Sequence, residues 1–318
     1  MIKTDQIVAL IQSHVNHDDE QFKTIALQMS ADEARNGHAG AAAKIHKAIS
    51  SVSKSNTFNL RILNGDIADL FIVGEKHYKL RDLFVNETVK GKINRIIEEY
   101  IGQDKLHQYN LDNRRKIMLY GLPGTGKTMT AEVLANELNL PFIIVRTEKV
   151  ISKFLGETGL KLAKVFDVIA KVRAVYLFDE FDAIGSQRGM ENEVGEQRRI
   201  LNTFLQLLDR DDSESLIIAA TNNVEVLDKA LFRRFDDVIE YSLPSKDQIV
   251  PMLKELFCNE KQIDIYSLSM EFEGMSPAEI KRICQDSLKS SILSSKTLTN
   301  NMVEQAINDN KALDIKLA

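Results

Sequence analysis

Eight residues, Gly121-Leu-Pro-Gly-Thr-Gly-Lys127-Thr128, constrain this chain more than any other stretch. They begin where the apolar run Ile117-Met-Leu-Tyr120 stops, and the stretch from Thr128 to Leu138 reads as a helix. Strand, glycine-rich turn and helix in that order make the Walker A arrangement. Gly121, Gly124 and Gly126 free the backbone so that its N–H groups can curl around phosphate oxygens, and Pro123, Thr125 and Met129 complete the loop and the first helical turn. Lys127 is spaced to reach the β and γ oxygens, Thr128 carries a hydroxyl that ligates Mg²⁺, and the positive end of the helix faces the phosphates. This implies an ATP or GTP site.

A second signal lies downstream in Val175-Tyr-Leu-Phe178-Asp179-Glu180. Four apolar residues suit a buried strand, and its C-terminal end presents two carboxylates where parallel sheets bind ligands. Asp179 is expected to hold Mg²⁺ through water and Glu180 to orient and polarise the attacking water. Either motif alone could be a plain turn or a solvated acidic pair, but together they specify an NTPase.

The remaining strand candidates, Phe142 to Val145, Leu216 to Ala220 and Val238 to Tyr241, alternate with helical stretches at Asn86 to Ile101, Leu160 to Val172 and Glu196 to Leu208. With Ile117 to Tyr120 and Val175 to Phe178 they predict a parallel five-stranded α/β sheet. After Leu243-Pro244 no strand signal returns, so 245–318 is expected to be an all-α lid on the large ATPase domain, 78–244. Three helical stretches, from Thr4 to Asn16, from about Asp18 to Asn36-Gly37 and from Ala39 to Ile49, suggest a small N-terminal module over 1–52 that selects substrate or docks an adaptor. Residues 53–77 read as a linker. His14 and His17 stand at helical spacing without a convincing third ligand, so no zinc site is expected.

Composition narrows the classes. The 318 residues are 44% hydrophobic and 27% charged, with a net charge of −5 and two cysteines, Cys258 and Cys284. That composition suits a globular cytoplasmic protein, has no membrane-spanning run or secretory signal, and argues against nucleic acid as the main ligand.

Ala220-Thr221-Asn222 and Leu231-Phe-Arg233-Arg234-Phe235-Asp236, taken with the two motifs above, resemble the AAA ATPase family in its restricted sense. Asp82-Leu83-Phe84-Val85-Asn-Glu-Thr-Val89-Lys90 resembles the family's entry segment, and Gly274-Met275-Ser276-Pro277-Ala278-Glu279-Ile280 its lid motif. The match runs roughly from Tyr78 to Ala318 and contains one ATPase module. The resemblance implies that ATP is the nucleotide and Mg²⁺ the metal. It puts Leu83, Phe84, Gly274 and Met275 around the nucleotide and Asn222 at the sensor position near the γ-phosphate. Arg233 and Arg234 fall at arginine-finger positions that reach into a neighbouring subunit of a hexameric ring. The chain has Arg-Arg-Phe-Asp where the family often has a longer segment, which leaves open which arginine dominates. At the entry segment, Phe84 and Val85 replace small residues.

Lys153-Phe154-Leu155-Gly156 resembles the pore loop of protein-translocating rings, where an aromatic grips a polypeptide without reading its sequence. The polar stretch Gly185 to Gly195 is a candidate second pore loop. The expected function is an ATP-hydrolysing, homo-oligomeric motor that unfolds or disassembles a protein substrate by threading it, with or without a separately encoded protease. The alternative is a nucleotide-dependent assembly switch or scaffold that threads nothing.

Overall fold

Side chains of a strand point alternately to opposite faces, and a strand covered on both faces is apolar throughout. Val175-Tyr-Leu-Phe178 obeys both rules: Val175 and Leu177 join one buried cluster, Tyr176 and Phe178 the other, and all four are buried. The computed structural model describes residues 4–15, 19–35, 37–38, 40–45, 65–151, 157–182, 191–223, 225, 229–260 and 262–317. The chain divides into two compact units, residues 1–57 and 58–318.

In the first unit, helices Thr4–Val15 and Asp19–Arg35 are described together with a helical stretch at 40–45. The second helix stops as expected, since Gly37 takes a left-handed φ of 84° and the His38 N–H returns to the Glu33 carbonyl at 2.9 Å. Ala26, Met29, Ser30 and Ala42 are buried, and the Ser30 hydroxyl donates to the Ala42 carbonyl at 3.0 Å. The side chains of His14 and His17 lie outside the described residues.

The second unit is built on a six-stranded sheet: β1 Phe71–Gly74, β2 Lys116–Gly121, β3 Phe142–Val145, β4 Val175–Phe178, β5 Leu216–Thr221 and β6 Asp237–Tyr241, in the order β1-β3-β4-β5-β2-β6. The five strands expected from the sequence are present and parallel. A sixth joins them: β1 lies in the stretch read as a linker and pairs antiparallel with β3, Phe71 opposite Val145. Phe71 is buried edge-on against Tyr176, with ring centroids 6.3 Å apart, which holds this short strand to the edge.

Helices Glu87–Ile101 and Lys127–Glu137 cover one face through Ile93, Ile96, Ala131 and Leu134. Helices Glu157–Lys171 and Glu191–Arg210 cover the other, where Phe166, Phe178, Phe181 and Phe204 meet with centroids 4.8–6.2 Å apart. After β6 come the helices Lys246–Leu256, Ile265–Glu271, Pro277–Ser294 and Asn300–Leu317, with their own core of Ile249, Leu253, Leu268, Phe272, Ile280 and Val303. Because β5 lies between β2 and β4, the C-terminal ends of all three converge on one edge, as the site requires.

At the opposite edge, Asp236 fixes how β2 and β6 start. Its Oδ2 accepts the N–H groups of Arg115 at 2.9 Å and Lys116 at 2.8 Å, while its own N–H donates to the Lys116 carbonyl at 2.7 Å. The carboxylate is exposed, so water replaces part of its role when it is removed. Asp236→Ala is therefore expected to cost about 1 kcal/mol in urea unfolding, and Asp236→Asn, which keeps an acceptor oxygen, less than half of that.

Candidate functional site

The convergent edge opens into a cleft of 760 Å³ between the sheet and the C-terminal helices. Of the residues singled out from the sequence, Leu83, Phe84, Pro123, Gly124, Thr125, Gly126, Lys127, Thr128, Met129, Asp179, Glu180 and Asn222 line it. Gly121, Gly274, Met275, Arg233 and Arg234 are not part of the lining. Met275 is buried in the core of the C-terminal helices, so it supports the lid motif from behind. Lys153, Phe154, Leu155 and Gly156, and the stretch 183–190 with most of the second candidate pore loop, lie outside the described residues.

The glycine loop turns through left-handed backbone at Gly121, Gly124 and Gly126, with φ values of 142°, 73° and 103°. Two of these positions also lack room for a side chain: a Cβ at Gly121 would sit 2.0 Å from the Tyr241 carbonyl oxygen, and one at Gly124 2.7 Å from Ser276 Oγ. Glycine therefore lets β6 and the lid pack directly on the loop. Lys127 folds back, its ammonium donating to the Gly121 and Leu122 carbonyls at 2.8 and 2.7 Å. Burial pushes its pKa below the ordinary lysine value, while the charges of Asp179 and Asp182 pull it back up. A buried cation of this kind gains from an anion in the cleft. Thr130, one turn on, donates its hydroxyl to the Gly126 carbonyl at 3.0 Å and shares a 2.6 Å bond with the buried Tyr241 hydroxyl.

At the end of β4, the Thr128 hydroxyl donates to Asp179 Oδ2 at 2.7 Å, joining the two motifs. Glu180 takes a left-handed φ of 49°, uncommon for a residue with a side chain, and its N–H donates to Asp179 Oδ1 at 2.9 Å. The reason is visible on either side: Phe178 and Phe181 are both fully buried, and the Phe181 N–H donates to the Ala220 carbonyl at 2.8 Å. The chain must turn sharply between two anchored aromatics, which leaves the Glu180 carboxylate exposed on the cleft wall. Asn222, just past β5, is exposed there too. Asp182 accepts the Thr221 hydroxyl at 3.0 Å, tying the turn after β4 to the end of β5. Arg233 and Arg234 are exposed; Arg234 is paired with Asp209 at 2.5 Å, whereas Arg233 has no partner among the described residues.

The lining also includes Asp82, Pro277 and Ala278, which lie inside the two resembled motifs, and His77, Tyr78, Met252, Glu255, Leu256 and Lys281, which motif reading did not assign to the site. The segment between β1 and β2 is held there by the helix that follows the glycine loop. Glu132 Oε1 accepts the N–H groups of His77 at 2.6 Å and Tyr78 at 3.0 Å, Glu137 accepts the Leu80 N–H at 3.0 Å, and Asn136 donates to the Tyr78 carbonyl at 2.8 Å. From the other side, helix Pro277–Ser294 starts at the capping pair Ser276 and Glu279, and the Ala278 N–H donates to the Gly124 carbonyl at 3.1 Å. No helix among the described residues is long and apolar enough to cross a membrane.

A left-handed glycine loop, a lysine at its end and a strand-terminal Asp-Glu pair on a parallel sheet define a P-loop NTPase. The model of the AAA family, ATPases associated with various cellular activities, matches residues 117–243. An uncharacterized AAA family ATPase of Sinorhizobium fredii is 32% identical over 282 residues, 86% of each chain. The proteasome-activating nucleotidase of Saccharolobus solfataricus is 37% identical over 204 residues, 60% of this chain and 52% of that protein. This chain spans about half the length of the proteasome-activating nucleotidases it matches. Among solved structures, the FIGL-1 AAA domain superposes with a TM-score of 0.63 at 22% identity, covering 80% of this chain and 91% of that one, a likeness of fold. The chain belongs to the AAA ATPase family and is an ATPase.

Gly124→Ala tests the packing of lid on loop. The left-handed backbone costs about 1 kcal/mol and the added methyl meets Ser276 and Ala278, so nucleotide affinity by titration calorimetry is expected to fall about tenfold. Because the strain is present without nucleotide, the unfolding midpoint of the unliganded protein should fall as well.

Proposed function

We propose that this ATPase assembles into a homo-oligomeric ring, hexameric as in the family it resembles, and uses ATP hydrolysis to thread and remodel a protein substrate. The observation that carries the catalytic part is the 2.7 Å bond between Thr128 and Asp179, with Lys127, Glu180 and Asn222 lining the same cleft. The donor set, one hydroxyl and one carboxylate beside a loop of free backbone N–H groups, fits Mg²⁺ with a triphosphate. Thr128 and Asp179 would hold the ion, whose chemistry there is to neutralise charge on the phosphate oxygens.

In this reading Lys127 exchanges its two carbonyl contacts for phosphate oxygens. Glu180, exposed on its left-handed turn, holds the attacking water and takes its proton, while the Asn222 amide orients that water or the γ-phosphate. Leu83, Leu256 and Met252 offer apolar surface to the base. Charge that develops on the transferred phosphoryl group calls for a guanidinium, and among the described residues the cleft's lining contains none. Arg233 and Arg234, exposed and outside that lining, suit a neighbouring subunit's cleft, and Arg233 is the freer of the two. Threading rests on the sequence of Lys153-Phe154-Leu155-Gly156. The likeness to proteasome-activating nucleotidases supports a protein substrate and leaves room for a separately encoded protease.

The test combines three variants. Glu180→Gln with ATP should give a stable ring by mass measurement and no turnover. Activity of the wild type should rise cooperatively with protein concentration and fall about a thousandfold or more when Arg233→Ala and Arg234→Ala are combined, the lower end of the range an arginine finger contributes. Phe154→Ala should keep ATP hydrolysis and lose unfolding of a tagged substrate. Activity independent of concentration and of both arginines would mean a site complete in one chain, and unimpaired remodelling by Phe154→Ala would favour the assembly switch.

A further inference from the structure

Tyr78 is bound from two directions. Its main chain belongs to the helix after the glycine loop, through the Glu132 bond to its N–H at 3.0 Å and the Asn136 bond to its carbonyl at 2.8 Å. Its ring belongs to the lid: the Lys281 ammonium stands 5.2 Å from the ring centroid and 3.5 Å from the phenol oxygen. Both residues line the cleft that Lys127 and Thr128 also line.

Lys281 sits three residues after Ala278, so the two share one face of helix Pro277–Ser294. That face meets the rest of the cleft twice. At the phosphate end the Ala278 N–H holds the Gly124 carbonyl at 3.1 Å. About one turn further along, Lys281 covers Tyr78. The first contact is main chain to main chain and stays whatever the side chains are. The second depends on one ammonium and one ring, and both are half-buried, where a cation–π contact gains from partial desolvation. Lys281 has no carboxylate partner among the described residues, so its charge is directed to the ring and the cleft.

We propose that Lys281 and Tyr78 form a clasp that holds the lid helix down over the nucleotide cleft and sets how fast spent nucleotide leaves. A nucleotide seated between the glycine loop and the lid cannot leave sideways while both contacts are made. Release requires the lid helix to lift, and lifting breaks the clasp. Because Tyr78 is anchored by its main chain to the helix carrying Lys127 and Thr128, the clasp also ties lid position to the phosphate-binding element. Lys281 and Tyr78 are positioning residues and leave the chemistry to Glu180. The inference rests on the nucleotide occupying this cleft.

The test measures release of radiolabelled ADP into excess unlabelled ADP by rapid filtration, using the full chain. Lys281→Met keeps the apolar stem and removes the charge, and Tyr78→Leu removes the ring while leaving its main-chain bonds. Each is expected to speed release about three- to tenfold, the factor corresponding to a cation–π contact of ordinary strength. The double variant should be no faster than either single one, and Tyr78→Phe, which keeps the ring, should release ADP as the wild type does. That conservative rescue separates a clasp from a general loss of structure. Multiplicative effects in the double variant, or a Lys281→Met effect without a matching one in Tyr78→Leu, would mean that Lys281 acts on the nucleotide alone and would overturn the clasp. Unchanged release in both single variants would overturn it as well. Failure of the wild type to retain ADP at all would instead count against this cleft as the nucleotide site.

Discussion

The approach of Gly121 to the Tyr241 carbonyl, too near for any Cβ, is the constraint on which the cleft depends. It allows β6 to lie against the end of β2, in register from Ile117 with Asp237 to Gly121 with Tyr241. The same Tyr241 sends its hydroxyl to Thr130, so one residue of β6 fixes both the start of the glycine loop and the first turn of the helix after it. With those two points held, the loop between must close in few residues, and left-handed backbone at Gly124 and Gly126 is how it does so. The helix N-terminus, Lys127 and Thr128 are then aimed before any ligand arrives, which removes part of the ordering cost of binding.

What was legible in the sequence was local. The glycine loop, the Asp-Glu pair at a strand end and the capping pair Ser276 and Glu279 each announce themselves within a few residues, and β3 and β4 have the boundaries their apolar runs imply. What was not legible depends on partners more than fifty residues away. Nothing around Glu132 indicates that it will take the N–H groups of His77 and Tyr78, and nothing around Leu70-Phe-Ile-Val73 outweighs the polar residues before it until β3 offers a ladder. Ile72 and Val73 are also exposed, so β1 lacks the buried apolar signature that identified the other strands. Met275 was misleading for the opposite reason: it belongs to a nucleotide-binding motif by resemblance, but its side chain is used to fill the lid core.

The Glu180 turn illustrates how packing serves chemistry. A left-handed glutamate is strained, and it persists because Phe178, Phe181 and Phe204 fill the space beneath it with edge and tilted ring contacts. Aromatic packing around the turn adds about 0.5–1.5 kcal/mol per ring pair beyond the area it buries, comparable with the strain of one such residue. The carboxylate thus faces the cleft by the geometry of its neighbours, with no hydrogen-bond partner among the described residues.

Sheet and lid keep separate hydrophobic cores, and consecutive residues divide between them: Leu83 packs in the sheet core while Phe84 packs against the lid. A lid with a complete core of its own can rock as a body, since no buried apolar surface of its interior is exposed by the movement. The contacts that such rocking strains are polar and directional, the Ala278 N–H on Gly124 and the Lys281 ammonium on Tyr78, and these fall off steeply with distance and angle. The two cores meet at the entry segment, between Leu83 and Phe84. That junction lies in the lining of the cleft itself.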